Sequence, residues 1–163
     1  MTNDKHRQPL CLEERDYLGW QAYWIRRGKL ELVLTPQIGG RLMRLAWNGA
    51  DLAFTQKEFH GVVEPLQAVS DLHAKKREFG FRLYGGDKTW LGPQSRWTDA
   101  VPFLDLDSGS YTARLEKNSP EEIQLAVVSP VDRETGIEIT RTLRLAASRP
   151  GFQVTHRLRN ASD

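Results

Sequence analysis

The strictest pattern in the sequence is the alternation of apolar and polar residues from position 137 to position 145. Odd positions are apolar with the single exception of Arg141, and even positions are polar. Successive side chains of a β-strand point to opposite faces, so this segment predicts a strand with one buried face and one solvated face. Residues 111–116, 123–128 and 152–158 also alternate, and turn-forming residues separate the four runs.

The first half of the chain predicts two β-hairpins in succession. Residues 20–26 and 29–34 are rich in aromatic and aliphatic side chains and are joined by a turn that contains glycine. Residues 41–47 form the next predicted strand. Asn48-Gly49 tolerates the positive φ of a tight turn, and residues 51–54 then return as a short partner.

These strands predict an all-β fold, an antiparallel β-sandwich. Parallel strands need long, usually helical, crossovers, and the alternating runs leave no room for them. The 163 residues suit one domain, which we expect over residues 17–163 after a loose polar lead-in at 1–16. Residues 56–78 lack the alternation and predict a long connection, with a helical turn between Ala68 and Arg77.

Charge distribution, cysteine content and hydropathy argue against a nucleic-acid partner, an intrachain disulfide and a membrane span. The 23 basic and 21 acidic residues are interspersed, whereas a nucleic-acid-binding protein usually clusters its basic residues, so we expect no nucleic-acid partner. The one tight basic triplet, Lys75-Lys76-Arg77, is interpreted as a solvated loop. A lone cysteine, Cys11, excludes an intrachain disulfide and favours a reducing, cytoplasmic location. No apolar run is long enough for a membrane span, so no membrane partner is expected.

The segment from Gly85 to Trp97 combines glycines, a carboxylate, an ammonium, an amide, a guanidinium and two indoles within thirteen positions. A sugar presents apolar C–H faces that pack on aromatic rings, and hydroxyls that need polar side chains. The segment therefore predicts a carbohydrate site, for which Arg41 beside Gly39-Gly40 is a further donor. The alternative is structural, with buried tryptophans and surface ion pairs. The candidate substrate-binding residues are Arg41, Asp87, Lys88, Trp90, Gln94, Arg96 and Trp97.

Histidines are the candidates for proton transfer, because opening a sugar hemiacetal needs an acid and a base. His60 and His73 lie in the long connection, but no carboxylate partner is marked by its spacing. His156 alternates with Val154 and Leu158 and is interpreted as a satisfied core or sheet residue, and His6 lies in the polar lead-in. No cluster has metal-ligand spacing and no nucleotide motif is present, so we expect neither a metal nor a cofactor.

Several elements together resemble the galactose mutarotase-like, or aldose 1-epimerase-like, superfamily. They are Thr-Pro-Gln-Ile-Gly-Gly-Arg-Leu at 35–42, Asn48-Gly49, the run 85–94 and Leu-Arg-Asn-Ala-Ser-Asp at 158–163. Within that superfamily the chain is most similar to uncharacterised bacterial domains with a Gly-Gly-Asp-Lys-Thr-Trp-x-x-Pro-Gln motif. The resemblance covers residues 20–163.

The resemblance implies a β-supersandwich with a carbohydrate site on its concave sheet, to which Arg41 and residues 87–96 contribute contacts. In the epimerases a histidine acid follows an Asn-x-Ser-Asp element like that at 160–163, and a glutamate base comes later still. The chain ends at Asp163. The catalytic residues are therefore unknown, and we expect an incomplete fold that is inactive alone and self-associates through uncovered sheet edges.

Three functions follow as hypotheses. The first is a domain that binds a small carbohydrate and is related to cofactor-independent aldose 1-epimerases. The second is a structural or carbohydrate-binding β-sandwich that transfers no proton. The third is a protein-interaction module anchored by Trp90 and Trp97.

Overall fold

The computed structural model describes residues 8–162, which form two antiparallel β-sheets. The predicted antiparallel β-sandwich is confirmed. The first sheet has the order β1-β2-β3-β4-β5 and the second has the order β6-β7-β8-β9, so within each sheet every strand lies beside its sequence neighbours. The strands are β1 Leu10–Tyr17, β2 Trp20–Arg27, β3 Leu30–Thr35, β4 Arg41–Trp47, β5 Ala50–Asp51, β6 Thr112–Asn118, β7 Glu122–Val128, β8 Ile137–Ala146 and β9 Gln153–Asn160.

Turn chemistry accounts for the hairpins. Asn48 and Gly49 have φ of 52° and 84°, as a tight hairpin turn between β4 and β5 requires. The strand predicted at residues 51–54 is shorter in the structure and begins one residue earlier: only Ala50 and Asp51 pair with β4. The four alternating runs of the second half correspond to β6, β7, β8 and β9.

The main core lies between the two sheets. Leu32 and Leu34 of the first sheet share one apolar cluster with Leu125, Val127 and Leu143 of the second. The alternation at 137–145 puts Ile139, Leu143 and Leu145 on this inner face, where each is at most 2% exposed. Arg141, the exception in the pattern, lies on the same face and is also buried.

A second core covers the other face of the first sheet. Trp20, Val33 and Met43 pack there against the long connection that joins the two sheets, including Leu66 and Tyr84. The first sheet is therefore buried on both faces, which explains why Leu32-Val33-Leu34 is apolar without interruption. The connection carries the two helices, α1 (Leu72–Phe79) and α2 (Leu104–Asp107).

The prediction of a loose lead-in at residues 1–16 is wrong from residue 10 onward, where the chain forms a strand. Leu10–Tyr17 forms β1, which pairs antiparallel with β2 along its whole length. Leu10 and Leu12 pack on the inter-sheet core, while the charged residues that follow are mostly exposed because β1 is an edge strand. Residues 1–7, including His6, lie outside the described residues.

The interpretation of Lys75-Lys76-Arg77 as a solvated loop is also wrong, because the triplet lies in α1. The Lys76 side chain is fully buried and its ammonium lies 2.7 Å from Glu134. The helix starts after Asp71, whose carboxylate accepts a hydrogen bond from the Ala74 amide, and it ends before Gly80. No helix in residues 8–162 is long and apolar enough to cross a membrane.

The burial of a side chain in the second sheet predicts how much stability is lost when that side chain is replaced by alanine. Leu125 of β7 is fully buried between the sheets, whereas Leu158 of edge strand β9 is 51% exposed. We expect Leu125→Ala to lower the free energy of unfolding by about 2–5 kcal/mol, because it removes buried methyl groups and leaves a cavity. The matched control Leu158→Ala should cost less than about 1 kcal/mol. Urea denaturation measures both, and similar losses would contradict the inter-sheet core.

Candidate functional site

A buried carboxylate, that of Asp107, organises the segment that the sequence singled out. It lies at the end of α2 and is only 4% exposed. Its Oδ1 atom accepts hydrogen bonds from Lys88 Nζ at 2.7 Å and Trp90 Nε1 at 2.6 Å. Arg41 Nη2 lies 3.1 Å from the same oxygen. Two cations and an indole therefore converge on one anion below the surface.

Arg41 ties three separate parts of the chain together. Its guanidinium donates to the backbone carbonyls of Ile38, Gly85 and Asp107, each at 3.0 Å. The side chain is fully buried. The predicted role of Arg41 as a donor at the sheet mouth is therefore wrong for this structure, because its nitrogens are already bonded inside the protein.

The two glycine pairs permit the close backbone contacts around this cluster. A Cβ atom on Gly85 would lie 2.0 Å from the Phe54 carbonyl oxygen, and one on Gly39 would lie 2.1 Å from the Asp107 carbonyl oxygen. Both residues also have positive φ, 97° and 75°. Gly39 thus lets the entry to β4 approach the end of α2, and Gly85 lets the Gly-Gly-Asp-Lys segment approach the backbone at Phe54.

A second charged contact joins this segment to the second sheet. Arg141 donates to the Gly40 carbonyl at 2.8 Å and to the Asp87 carbonyl at 3.0 Å, and it pairs with the Asp87 carboxylate. The Asp87 side chain is nevertheless 61% exposed. Beside it, His156 Nδ1 lies 2.7 Å from Thr89 Oγ1. His156 is interpreted from the sequence as a satisfied core or sheet residue; it is exposed, so it is not part of the core, but it lies in β9 and its ring is bonded to Thr89 of the connection.

The aromatic residues form a ladder that runs from the interior to the surface. Trp97 is buried and meets Trp90 edge to face at 4.9 Å between ring centroids. Trp90 in turn meets Phe81 at 5.9 Å, and Lys88 Nζ lies 3.9 Å from the Trp90 centroid. Phe81 and Trp90 are 49% and 37% exposed. The outer end of the ladder therefore presents apolar ring surface beside polar groups.

Burial and charge shift the pKa values of three groups here. Burial lowers the pKa of Lys88 to about 8, although Asp107 partly opposes the shift. Burial would raise the pKa of Asp107, but the charges of Arg41 and Lys88 and the hydrogen bonds of Lys88 and Trp90 outweigh it and lower that pKa. The pKa of His156 is lowered by burial and then by Arg141, against the opposing charge of Asp87.

The predicted site residues differ in their exposure and in their partners. Arg41 and Trp97 are buried, and the burial of Trp97 agrees with the structural alternative. Lys88 and Trp90 both bind Asp107, but Lys88 is mostly buried whereas the Trp90 ring is partly exposed. Asp87 is exposed beside them. Gln94 and Arg96 lie exposed on a short 3-10 turn.

Sequence patterns did not mark every candidate residue, and some of the candidates lie away from Asp107. No pattern in the sequence marked Asp107, whereas Arg141 was visible as the exception in an apolar stripe. His60 packs edge-on against Trp20, and His73 is exposed on α1. A separate cleft of about 490 Å³, which no sequence pattern indicated, is lined by residues that include Glu14, Tyr23 and Tyr111.

No family model, curated protein or solved structure matches the chain. The mutarotase-like assignment therefore remains a hypothesis that depends on the sequence elements alone.

Removing the Asp107 charge should destabilise the fold. Asp107→Asn leaves Arg41 and Lys88 buried without their counter-ion, and breaking a buried pair costs about 3–5 kcal/mol. Glu78→Gln is the matched control, because Glu78 is exposed and pairs with Lys75 on the surface of α1, where the expected loss is below about 1 kcal/mol. Chemical denaturation at pH 7 measures both variants, and equal stabilities would refute the role of Asp107.

The lowered pKa of Lys88 predicts a stability that rises in mild alkali. An unfolded lysine stays protonated to about pH 10.4, whereas folded Lys88 loses its proton near pH 8. Between these values the unfolded state binds more protons, so raising the pH favours the folded state. Urea unfolding should show a gain of about 1 kcal/mol from pH 8 to pH 9, below the range in which the tyrosines, whose folded pKa values burial raises, ionise in the unfolded state and oppose the gain. Lys88→Met should abolish this slope, and a slope that persists in the variant would assign it to another group.

Proposed function

We propose that this chain is a carbohydrate-binding domain of the galactose mutarotase-like kind. The sugar lies on a surface formed by Phe81, Asp87, Thr89, Trp90 and His156, which we call the Trp90 surface. The observation that supports it best is the pair of exposed aromatic rings beside exposed polar groups.

The residue types of the Trp90 surface suit a sugar. The rings of Phe81 and Trp90 offer apolar area to the C–H groups of a pyranose. The Asp87 carboxylate accepts hydrogen bonds from hydroxyls, and Thr89 and His156 can either donate or accept. The surface therefore supplies both kinds of contact that a sugar needs within a few residues of one segment.

The buried charges below the surface support tight positioning. Asp107 holds Trp90 and Lys88, and Arg141 holds the backbone and side chain of Asp87. A ligand that meets side chains already fixed in place loses less conformational entropy on binding. Buried ion pairs contribute little net stability, so positioning this segment gives a reason for their presence.

Binding, rather than turnover, is the activity that we assign to this chain. The acid and base of the epimerases correspond to no residue of the sequence, as the resemblance implies. The lowered pKa of His156 favours the neutral imidazole at pH 7, which can accept a proton but is a weak acid. Epimerase activity would need an acid and a base besides the groups at the Trp90 surface.

The exposed rings also support a second candidate, a protein-interaction module. Phe81, Leu83 and Trp90 are each between 37% and 49% exposed, and aromatic residues are common at interaction hot spots. Such an interface would be insensitive to competing sugars.

A thermal melt against hexoses, pentoses, uronic acids and sugar phosphates tests the proposal. Ligand at about 100-fold over its dissociation constant adds roughly 2.7 kcal/mol to the stability, a shift of several degrees for this size. We expect Phe81→Ala to weaken the binding of the best sugar about 5-fold to 10-fold through lost ring contact.

Trp47→Ala is the matched control, because the Trp47 indole is 56% exposed at the end of β4, outside the Trp90 surface. It should leave sugar affinity unchanged. A cooperative melt that no sugar moves would refute carbohydrate binding. A mutarotation assay on the same sample separates binding from turnover, since binding alone leaves anomeric exchange at its background rate.

A further inference from the structure

The outer face of the second sheet carries a trough of about 400 Å³. The strand register places Ala126 of β7 beside Thr142 of β8, and Thr142 beside Thr155 of β9. In the adjacent row Val128 lies beside Thr140. These small side chains form the floor of the trough, and longer side chains on the flanking strands form its walls.

Two arginines stand on opposite walls of this trough. Arg114 projects from β6 in the row of Ala126, and Arg157 projects from β9 in the row of Thr140. Three strand spacings of about 4.8 Å separate β6 from β9, so the two Cα atoms lie roughly 15 Å apart. Arginine side chains are long enough to reach inward from both walls, which leaves room for a small molecule between the guanidinium groups.

The trough has a net positive charge, because three arginines (Arg114, Arg157 and Arg159) and two glutamates (Glu116 and Glu138) line it. Arg159 makes two hydrogen bonds of 3.0 Å with the Glu138 carboxylate, and this pair is neutral. Within residues 8–162, neither Arg114 nor Arg157 has a carboxylate at ion-pair distance. The pKa of Glu138 is lowered by its hydrogen bond to Arg159 and, more weakly, by the charges of Arg114 and Arg157, so both arginines lie near this pair.

We propose that this trough binds a small hydroxylated carboxylic acid, such as a uronic acid. A carboxylate between Arg114 and Arg157 accepts charge-assisted hydrogen bonds from planar guanidinium groups that match its geometry. The hydroxyls of Thr140, Thr142 and Thr155 are both donors and acceptors for the hydroxyl groups of the ligand.

Charge and composition argue against a nucleic acid in the trough. No aromatic side chain lines it, so bases have nothing on which to stack. Glu116 of β6 also lines the trough, and its charge opposes a polyanion more strongly than a ligand with a single negative charge. The trough shares no residue with the Trp90 surface, and the inference stands without the proposed carbohydrate function.

Calorimetric titration of the whole chain with glucuronate, and with glucose as the neutral counterpart, tests the inference. We expect glucuronate to bind and glucose to bind at least about tenfold more weakly at this site. Arg114→Gln and Arg157→Gln should each weaken glucuronate binding about tenfold, which corresponds to roughly 1.4 kcal/mol. Both side chains are exposed, so thermal melts should show that the variants fold.

Two controls separate this site from the other proposals. Arg77→Gln removes an exposed arginine of α1 and should leave glucuronate affinity unchanged. Phe81→Ala should affect sugars bound at the Trp90 surface but not glucuronate in the trough. Glucuronate affinity that is unchanged in both trough variants, or lost in Phe81→Ala instead, would overturn the inference. So would an oligonucleotide that binds more tightly than glucuronate through the same two arginines.

Discussion

The buried Asp107 carboxylate is the interaction on which the organisation of this protein depends. It neutralises Arg41, which is fully enclosed and bonds to carbonyls from three separate parts of the chain. An arginine buried without a counter-ion would cost far more than the hydrogen bonds return. With Asp107 in place, the entry to β4, the Gly-Gly-Asp-Lys segment and the end of α2 become one unit.

The same unit couples the two sheets. Arg141 reaches from the inner face of β8 to the Gly40 carbonyl and to Asp87, so a charged contact joins the second sheet to the entry to β4 and to the Gly-Gly-Asp-Lys segment. The central strands of the first sheet pack against apolar residues on both faces, while the second sheet carries an open trough on its outer face. The Trp90 surface and the outer trough lie on different sides of this arrangement and share no residue.

Local patterns were sufficient to predict most of the strands. Period-two alternation identified β6 to β9, and the Asn48-Gly49 turn identified the junction of β4 with β5, because side-chain direction and turn geometry are local properties. The pattern failed at β1, where an edge strand tolerates charged residues and loses its apolar signature. The interpretation of the basic triplet failed at Lys76, because the burial of this lysine depends on Glu134, a residue far away in sequence.

The sequence by itself determined the all-β class, the antiparallel connections and the segment 85–97 as a place where aromatic and charged residues concentrate. Only the tertiary structure decided which of those residues face inward. Arg41 and Trp97 became internal supports, whereas Asp87 and part of Trp90 stayed at the surface. The physical reason is that the position of a charge depends on its counter-ion. Asp107 and Arg141 come from distant parts of the chain, and only folding brings them to the opposite charges that compensate for the loss of their hydration.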